Sequence, residues 1–298
     1  GWTGSVYFSD LVASSTKRAR FAKQLAAFQD KYGFDGIDLD WEYPNGEAVG
    51  CNTVRANDAA HLLSFLKVLR STIGSKKLIT AAVSSAGFIG IDGEALTSGL
   101  GPYAKYLNYI NLMTLNFLPP PYSGSWSETT AANSPLRTCL GDGSVEDAVS
   151  LWVKGGFPAK QILLGIPSYA ISFTTTKQPL KTHKITSDGE LYHSKLYQAW
   201  TSVTPKGSSS DSNANTTDVC GVTTSAYTGQ WQYIDLINEG ALSADGTTGQ
   251  KGFTRHWDEC TQTPFLYHYH RRQLISYDDA KSAGVKAEYA REKGLGGV

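Results

Sequence analysis

The sequence predicts an α/β chain of parallel βαβ units followed by a region of α+β character, and three observations carry that expectation. Short, continuously apolar runs at 78–84, 109–115 and 162–166 alternate with stretches of helical period, at the spacing of strand–helix–strand units. The stretch Phe34-Asp35-Gly36-Ile37-Asp38-Leu39-Asp40-Trp41-Glu42-Tyr43-Pro44 alternates apolar and acidic residues with the strand period of two. From residue 171 the alternation stops, and 171–277 turns rich in Thr, Ser and Tyr, with frequent turn signals.

The elements follow in order. Residues 1–14, with Gly1-Trp2-Thr3-Gly4-Ser5, read as the end of a strand and its loop. An amphipathic helix is expected over 15–32, with Phe21, Leu25 and Phe28 on its apolar stripe and Gly33 as its stop. The acidic strand covers 37–42, and Pro44 closes it. Asn57 or Asp58 caps a helix over 58–73 whose stripe is Leu62, Leu66 and Leu69, ended by Gly74. After the strand at 78–84, a Gly-rich loop and weak helix lead to the strand at 109–115. Ser144-Val145-Glu146-Asp147 resembles a capping box for a helix reaching Lys154, before the strand at 162–166. Residues 206–218, small and polar, are expected as a mobile loop. A last helix over 279–293 carries Ala283, Ala287 and Ala290 on one side, and 294–298 reads as the start of a further strand.

Composition narrows the function classes. The 298 residues suffice for one large α/β barrel or two smaller domains. Lys+Arg and Asp+Glu both number 27, so no basic footprint points to nucleic acid or an anionic membrane surface. No apolar run reaches the roughly 18 residues of a membrane span. The 7 Trp, 16 Tyr and 11 Phe suit sugar stacking as well as an ordinary large core. Met113 is the only methionine, so residue 1 is not an initiator and the chain is read as processed or a fragment. Cys51, Cys139, Cys220 and Cys260 form no CxxC pair and fit no zinc module. Four well-separated cysteines beside loops fit two disulfides in a secreted protein, and the sequon Asn215-Thr216-Thr217 agrees with that. Buried free thiols in a cytosolic enzyme are the other reading.

On the acidic strand, Asp38, Asp40 and Glu42 point to one face and Ile37, Leu39 and Trp41 to the other. Same-face neighbours lie about 6.5–7 Å apart. Ionised carboxylates that close repel, so one of them holds a proton near neutrality. This suits a general acid beside a charged carboxylate. A polar face in water or a divalent-cation site is the alternative, but aromatics flank the acids, whereas cation loops favour Gly, Asn and carbonyl ligands.

Asp35-Gly36-Ile37-Asp38-Leu39-Asp40-Trp41-Glu42-Tyr43-Pro44 resembles the DGxDxDWEYP motif of glycoside hydrolase family 18, the chitinases, at every fixed position. Supporting stretches run nearly the whole length. Residues 1–5 are similar to the tail of the family's SxGG strand, 78–84 to its fifth strand and 162–169 to its seventh. Residues 260–267 and 276–279 are similar to the insertion domain of secreted fungal chitinases. The resemblance implies a (β/α)8 TIM barrel whose site lies at the C-terminal ends of the strands. The barrel is expected to be incomplete here, lacking its first strands and last strand. A partial barrel over 1–170 precedes an α+β insertion subdomain at 171–277 and the last barrel helix at 278–298. The implied activity is substrate-assisted, retaining hydrolysis of β-1,4-linked N-acetylglucosamine, an exception to the two-carboxylate scheme of most glycosidases. Glu42 would act as acid/base, Asp40 would hold the acetamide nitrogen, and Asp38 would share a proton with Asp40. Tyr43, Trp126, Tyr169, Asn116, Met113 and Trp2 would contact sugar, with no cofactor or metal. The implied protein is extracellular and monomeric, with chitin or chito-oligosaccharide as its partner, and the disulfides expected are Cys220–Cys260 and Cys51–Cys139. The sequence departs from the pattern where the family's sixth strand ends Met-x-Tyr-Asp and this chain has Met113-Thr114-Leu115-Asn116. The family tyrosine bonds the acetamide carbonyl, which Leu115 cannot do. That departure keeps a non-catalytic chito-oligosaccharide binder as the second reading.

Overall fold

The computed structural model describes residues 1–46, 50–117, 129–140, 143–201 and 203–298. Its elements in chain order begin with α1 (Phe8–Ala13), α2 (Ser15–Tyr32), β1 (Gly36–Asp40), α3 (Asp58–Ile73), β2 (Leu78–Ser84), β3 (Tyr109–Met113), α4 (Val145–Lys154) and β4 (Ile162–Leu164). They continue with β5 (Tyr169–Thr174), β6 (His183–Ser187), β7 (Glu190–Ser194), β8 (Thr216–Thr217), β9 (Thr223–Thr224) and β10 (Gln230–Gln232). The last are α5 (Tyr233–Asn238), β11 (Phe253–Asp258), β12 (Thr263–His268), β13 (Gln273–Ser276) and α6 (Ala280–Glu292).

Strands β1 to β4 form a parallel sheet in sequential order. Residues 296–297 extend it: Leu163 bridges Gly297 in parallel, and Leu164 N donates to Gly297 O at 3.0 Å. The period of two sorts its two faces. Ile37, Leu39, Ile79, Ala81, Val83, Ile110, Leu112, Ile162 and Leu164 are buried in one core with Leu62, Phe65, Leu66 and Leu69 of α3 and Val149 and Trp152 of α4. The opposite face carries Asp38, Asp40, Thr80, Asn111 and Met113. Among the described residues the sheet is an open arc rather than a closed barrel.

Between β4 and α6 the chain forms a five-stranded antiparallel sheet in the order β10-β5-β13-β12-β11. One core holds Phe173, Leu196, Phe265 and Leu274, and a second holds Ala170, Trp231, Leu266 and Ile275. Residues 129–140 join it: Ala131, Ala132 and Cys139 lie in the first of these cores.

Several expectations are corrected. Residues 8–13 are helical, because Phe8 stacks on Trp41 at 5.5 Å and Val12 is buried, contacts that a six-residue segment cannot announce by periodicity. Neither Asn57 nor Asp58 caps α3, since the Asp58 carboxylate accepts from Ser9 Oγ at 2.7 Å and Arg55 N at 2.8 Å. The buried positions of α2 are Ala22 and Gln29, and Phe28 turns outward to meet Tyr32 and Phe34. At α4, Ser144 Oγ accepts from Asp147 N but donates to the Asp147 carboxylate, so the box is not reciprocal. The reciprocal box is at α6, between Asp279 and Ser282. That helix buries Ser282, Lys286, Tyr289 and Ala290 rather than an alanine face. Residues 206–218 are a loop, as expected, up to the two-residue β8, and the Asp211 carboxylate within it accepts from Gly207 N, Thr228 N, Thr228 Oγ1 and Gly229 N. The strands β1, β3 and β4 end two residues short of the expected limits, at Asp40, Met113 and Leu164.

The disulfides are Cys51–Cys220 and Cys139–Cys260, not the expected pairs. The loop after β1 and the β8–β9 hairpin face one another, with Cys51 N donating to Cys220 Sγ at 2.9 Å. Cys139 lies instead where residues 129–140 pack on the antiparallel sheet beside Cys260.

Candidate active site

The acids gather at the C-terminal end of β1. Asp38 is held from both neighbouring strands, accepting on Oδ1 from Thr80 Oγ1 at 2.5 Å and from Asn111 Nδ2 at 3.0 Å. The register makes this possible: Asp38 pairs with Thr80, and Asn111 sits opposite Ala82, one step diagonally along the same face. Asp40 Oδ2 accepts from the Gly1 nitrogen at 3.0 Å. Glu42 lies just beyond the strand, with its own N–H donating to Gly1 O at 3.3 Å.

The Glu42 carboxyl is the perturbed group. Burial pushes its pKa above the usual carboxylate range, and the charge of Asp40 and a hydrogen bond with it push the same way. A hydrogen bond from Tyr43 acts in the opposite sense. Tyr43 is in turn raised by burial and by the adjoining Glu42. Such a carboxyl retains its proton to higher pH than an exposed glutamate and is suited to general-acid work.

Around the acids, Trp2 meets Tyr43 edge-on at 6.5 Å and is 53% exposed. Asn52 Nδ2 donates to Trp2 O at 2.8 Å, in the loop tied down by Cys51–Cys220. Met113 ends β3 on the same face as the acids, opposite Ser84. Three residues on, Asn116 takes a left-handed conformation (φ 61°), and its Oδ1 accepts from the Tyr169 hydroxyl at 2.8 Å. Burial pushes Tyr169 up to about 12 against its bonds with Asn116 and Asn133, and Glu42 adds to the rise. Tyr169 therefore sits within the field of the acid.

Of the residues expected from the sequence, Asp38, Asp40, Glu42, Tyr43, Trp2, Met113, Asn116 and Tyr169 are thus assembled at one end of the parallel sheet. Trp126 lies outside the described residues. Sequence reasoning missed Thr80, Asn111 and Asn133. The signal for Thr80 and Asn111 was present, as polar residues in otherwise apolar strands, on the phase opposite the buried core. Asn133 carried none, because its partners are distant in the chain.

A parallel α/β sheet with a carboxylate cluster beyond its strands' C-terminal ends is the site geometry of the barrel and doubly wound enzymes. The chain belongs to the glycosyl hydrolases family 18, whose family model matches residues 1–298. It is 35% identical over 303 residues to a chitinase-like effector of Moniliophthora roreri, covering 100% of this chain and 70% of the relative. It is 29% identical to chitinase A1 of Niallia circulans, again over its full length but over only 38% of that protein. The crystal structure of a chitinase from Rhizomucor miehei superposes with a TM-score of 0.84 at 32% identity, covering 100% of this chain and 76% of that one.

Proposed function

We propose that this chain carries the acid/base machinery of a chitinase, hydrolysing β-1,4-N-acetylglucosamine linkages by the substrate-assisted, retaining route. The observation that carries the reading is Glu42, a carboxyl with raised proton affinity beside Asp40 and Tyr43. Glu42 donates its proton to the glycosidic oxygen as that bond breaks. Asp40 holds the acetamide N–H, so that the acetamide carbonyl oxygen attacks the anomeric carbon from the opposite side. Glu42, now ionised, takes a proton from the water that opens the cyclic intermediate. Asp38, fixed by Thr80 and Asn111, steadies Asp40 from beneath. Trp2 and Tyr43 offer faces or edges to sugar rings, and Met113, Asn116 and Tyr169 lie at the same end of the parallel sheet. On this reading β1 to β4 and residues 296–298 are an arc of a (β/α)8 barrel, and 171–277 is its inserted α+β subdomain. Two disulfides and the exposed sequon at Asn215 support a secreted protein acting outside the cell.

A non-catalytic chito-oligosaccharide binder is the second reading. Leu115 stands where the family pattern has tyrosine, and one relative bears the name chitinase-like effector. Hydrolysis of a chromogenic chitobioside by the full chain, with Glu42→Gln as control, separates the two. The enzymatic reading expects turnover lost by at least about a hundredfold in Glu42→Gln while chitin binding persists. Binding without turnover in the unaltered protein establishes the second reading instead.

A further inference from the structure

Asn133 makes four hydrogen bonds to residues distant in the chain. It lies in residues 129–136, which bond to the antiparallel region through Thr130 N to Gln198 O at 2.8 Å and Leu136 N to Thr261 O at 2.9 Å, and to the chain beyond β3 through Ser134 Oγ to Thr114 O. Asn133 is 1% exposed, and its donors and acceptors on both backbone and side chain are engaged. Its backbone N–H donates to Ser276 Oγ at 2.8 Å, and its carbonyl accepts from Phe117 N at 3.2 Å. Its Oδ1 accepts from Asn116 N at 3.2 Å, and its Nδ2 donates to Tyr169 O at 3.3 Å. An N–H on one side and a carbonyl on the other fix which amide atom is oxygen, since the flipped amide would put like against like.

We infer that Asn133 is a positioning residue for the sugar site, acting through Asn116 and Tyr169; the inference rests on the reading of those two as sugar contacts. Asn116 stands at φ 61°, a left-handed conformation that asparagine tolerates, and its backbone N–H donates to Asn133 Oδ1. Held there, its side-chain oxygen accepts a hydrogen bond from the Tyr169 hydroxyl, so the Tyr169 oxygen is turned to act as an acceptor toward a ligand beside Glu42. Asn133 grips the Tyr169 backbone as well, and so sets both ends of that pair. It joins the end of β3 to the start of β5, two segments from different sheets that no ladder connects.

A double-mutant cycle for chitotetraose affinity in the Glu42→Gln background, run on the full chain, tests this. Asn133→Ala and Tyr169→Phe are each expected to weaken binding by about tenfold, and the double variant no more than either alone. Losses that multiply would overturn the inference, because a purely structural Asn133 would not be coupled to the Tyr169 hydroxyl. Asn133→Asp provides the arm that keeps the residue's shape and its acceptor for Asn116 N but loses the donor to Tyr169. With 13C-labelled tyrosine, its spectrum should move the Tyr169 ring resonances and leave those of the distant Tyr192 in place. That readout needs no ligand: if the unaltered protein binds no chito-oligosaccharide, the functional reading fails on its own. An unmoved Tyr169 signal in folded Asn133→Asp overturns the positioning role.

Discussion

At the scale of single residues, Glu42 trades stability for chemistry. Its pKa is raised in the folded protein, so the folded state holds the proton more tightly than the unfolded one does. Below the unfolded glutamate value of about 4.3 both states are protonated and nothing is lost. As pH rises, the unfolded state ionises first, and stability falls until the folded value is passed. Glutamine cannot ionise, so the Tm advantage of Glu42→Gln over the unaltered protein should be absent near pH 4, grow with pH and then level off. A calorimetric series that shows a constant difference would contradict burial as the cause. Leu115 is the opposite case, a missing group. Restoring a hydroxyl by Leu115→Tyr should raise chitobioside turnover by up to about tenfold, the rate equivalent of one hydrogen bond of about 1.4 kcal/mol. No gain in kcat/KM would mean that the cleft already supplies that bond from elsewhere.

At the scale of elements, the two disulfides differ in what they restrain. Cys139–Cys260 ties residues 129–140 to the loop between β11 and β12, and Cys260 is fully buried. Cys51–Cys220 pins the β8–β9 hairpin to the loop after β1, where Cys51 is exposed. Val219 of the same hairpin crowds Gly4, where an added Cβ would come within 2.5 Å of its methyl group at a φ of 86°. Only glycine fits that turn. A mild thiol should therefore open Cys51–Cys220 well before Cys139–Cys260, read by timed alkylation and peptide mass spectrometry. Because the hairpin braces the loop that carries Asn52 and, through it, Trp2, oligosaccharide affinity should fall at that first step while Tm moves little.

At the scale of the whole molecule, the two sheets are laced together by a buried pair. Lys286 of α6 is ion-paired with Asp278, which follows β13, and its Nζ also donates to Ser134 Oγ at 2.8 Å. Both charges are buried, which drives Asp278 up and Lys286 down and makes each dependent on the other. Ser134 in turn donates to Thr114 O beyond β3, so the pair reaches from the antiparallel sheet to the edge of the site. Lys286→Met alone should cost about 3–5 kcal/mol, whereas Lys286→Met with Asp278→Leu should recover most of it. Denaturant unfolding measures both, and equal losses in the single and double variants would show that packing rather than charge decides the site.

The sequence by itself determined what depends on neighbours in the chain. It gave the limits of α2, α3 and β2, because period and glycine stops are local signals. It gave Asp38 and Asp40 on one face, because one strand fixes it, whereas Glu42 lies beyond the strand's end and owes its place to the loop that follows. It also gave the family, because ten contiguous residues carry the motif. Tertiary structure decided what depends on partners far along the chain. The disulfide pairing follows from which loops face one another, and the shielding of Glu42 from what lies over it. The donors to Asp38 come from register between strands about 40 and 70 residues away, and the Asn133 network from a loop bonded both to the antiparallel region and to the chain beyond β3. A strand's period is written in its own residues, whereas a hydrogen bond across 73 residues exists only once packing has brought its ends together.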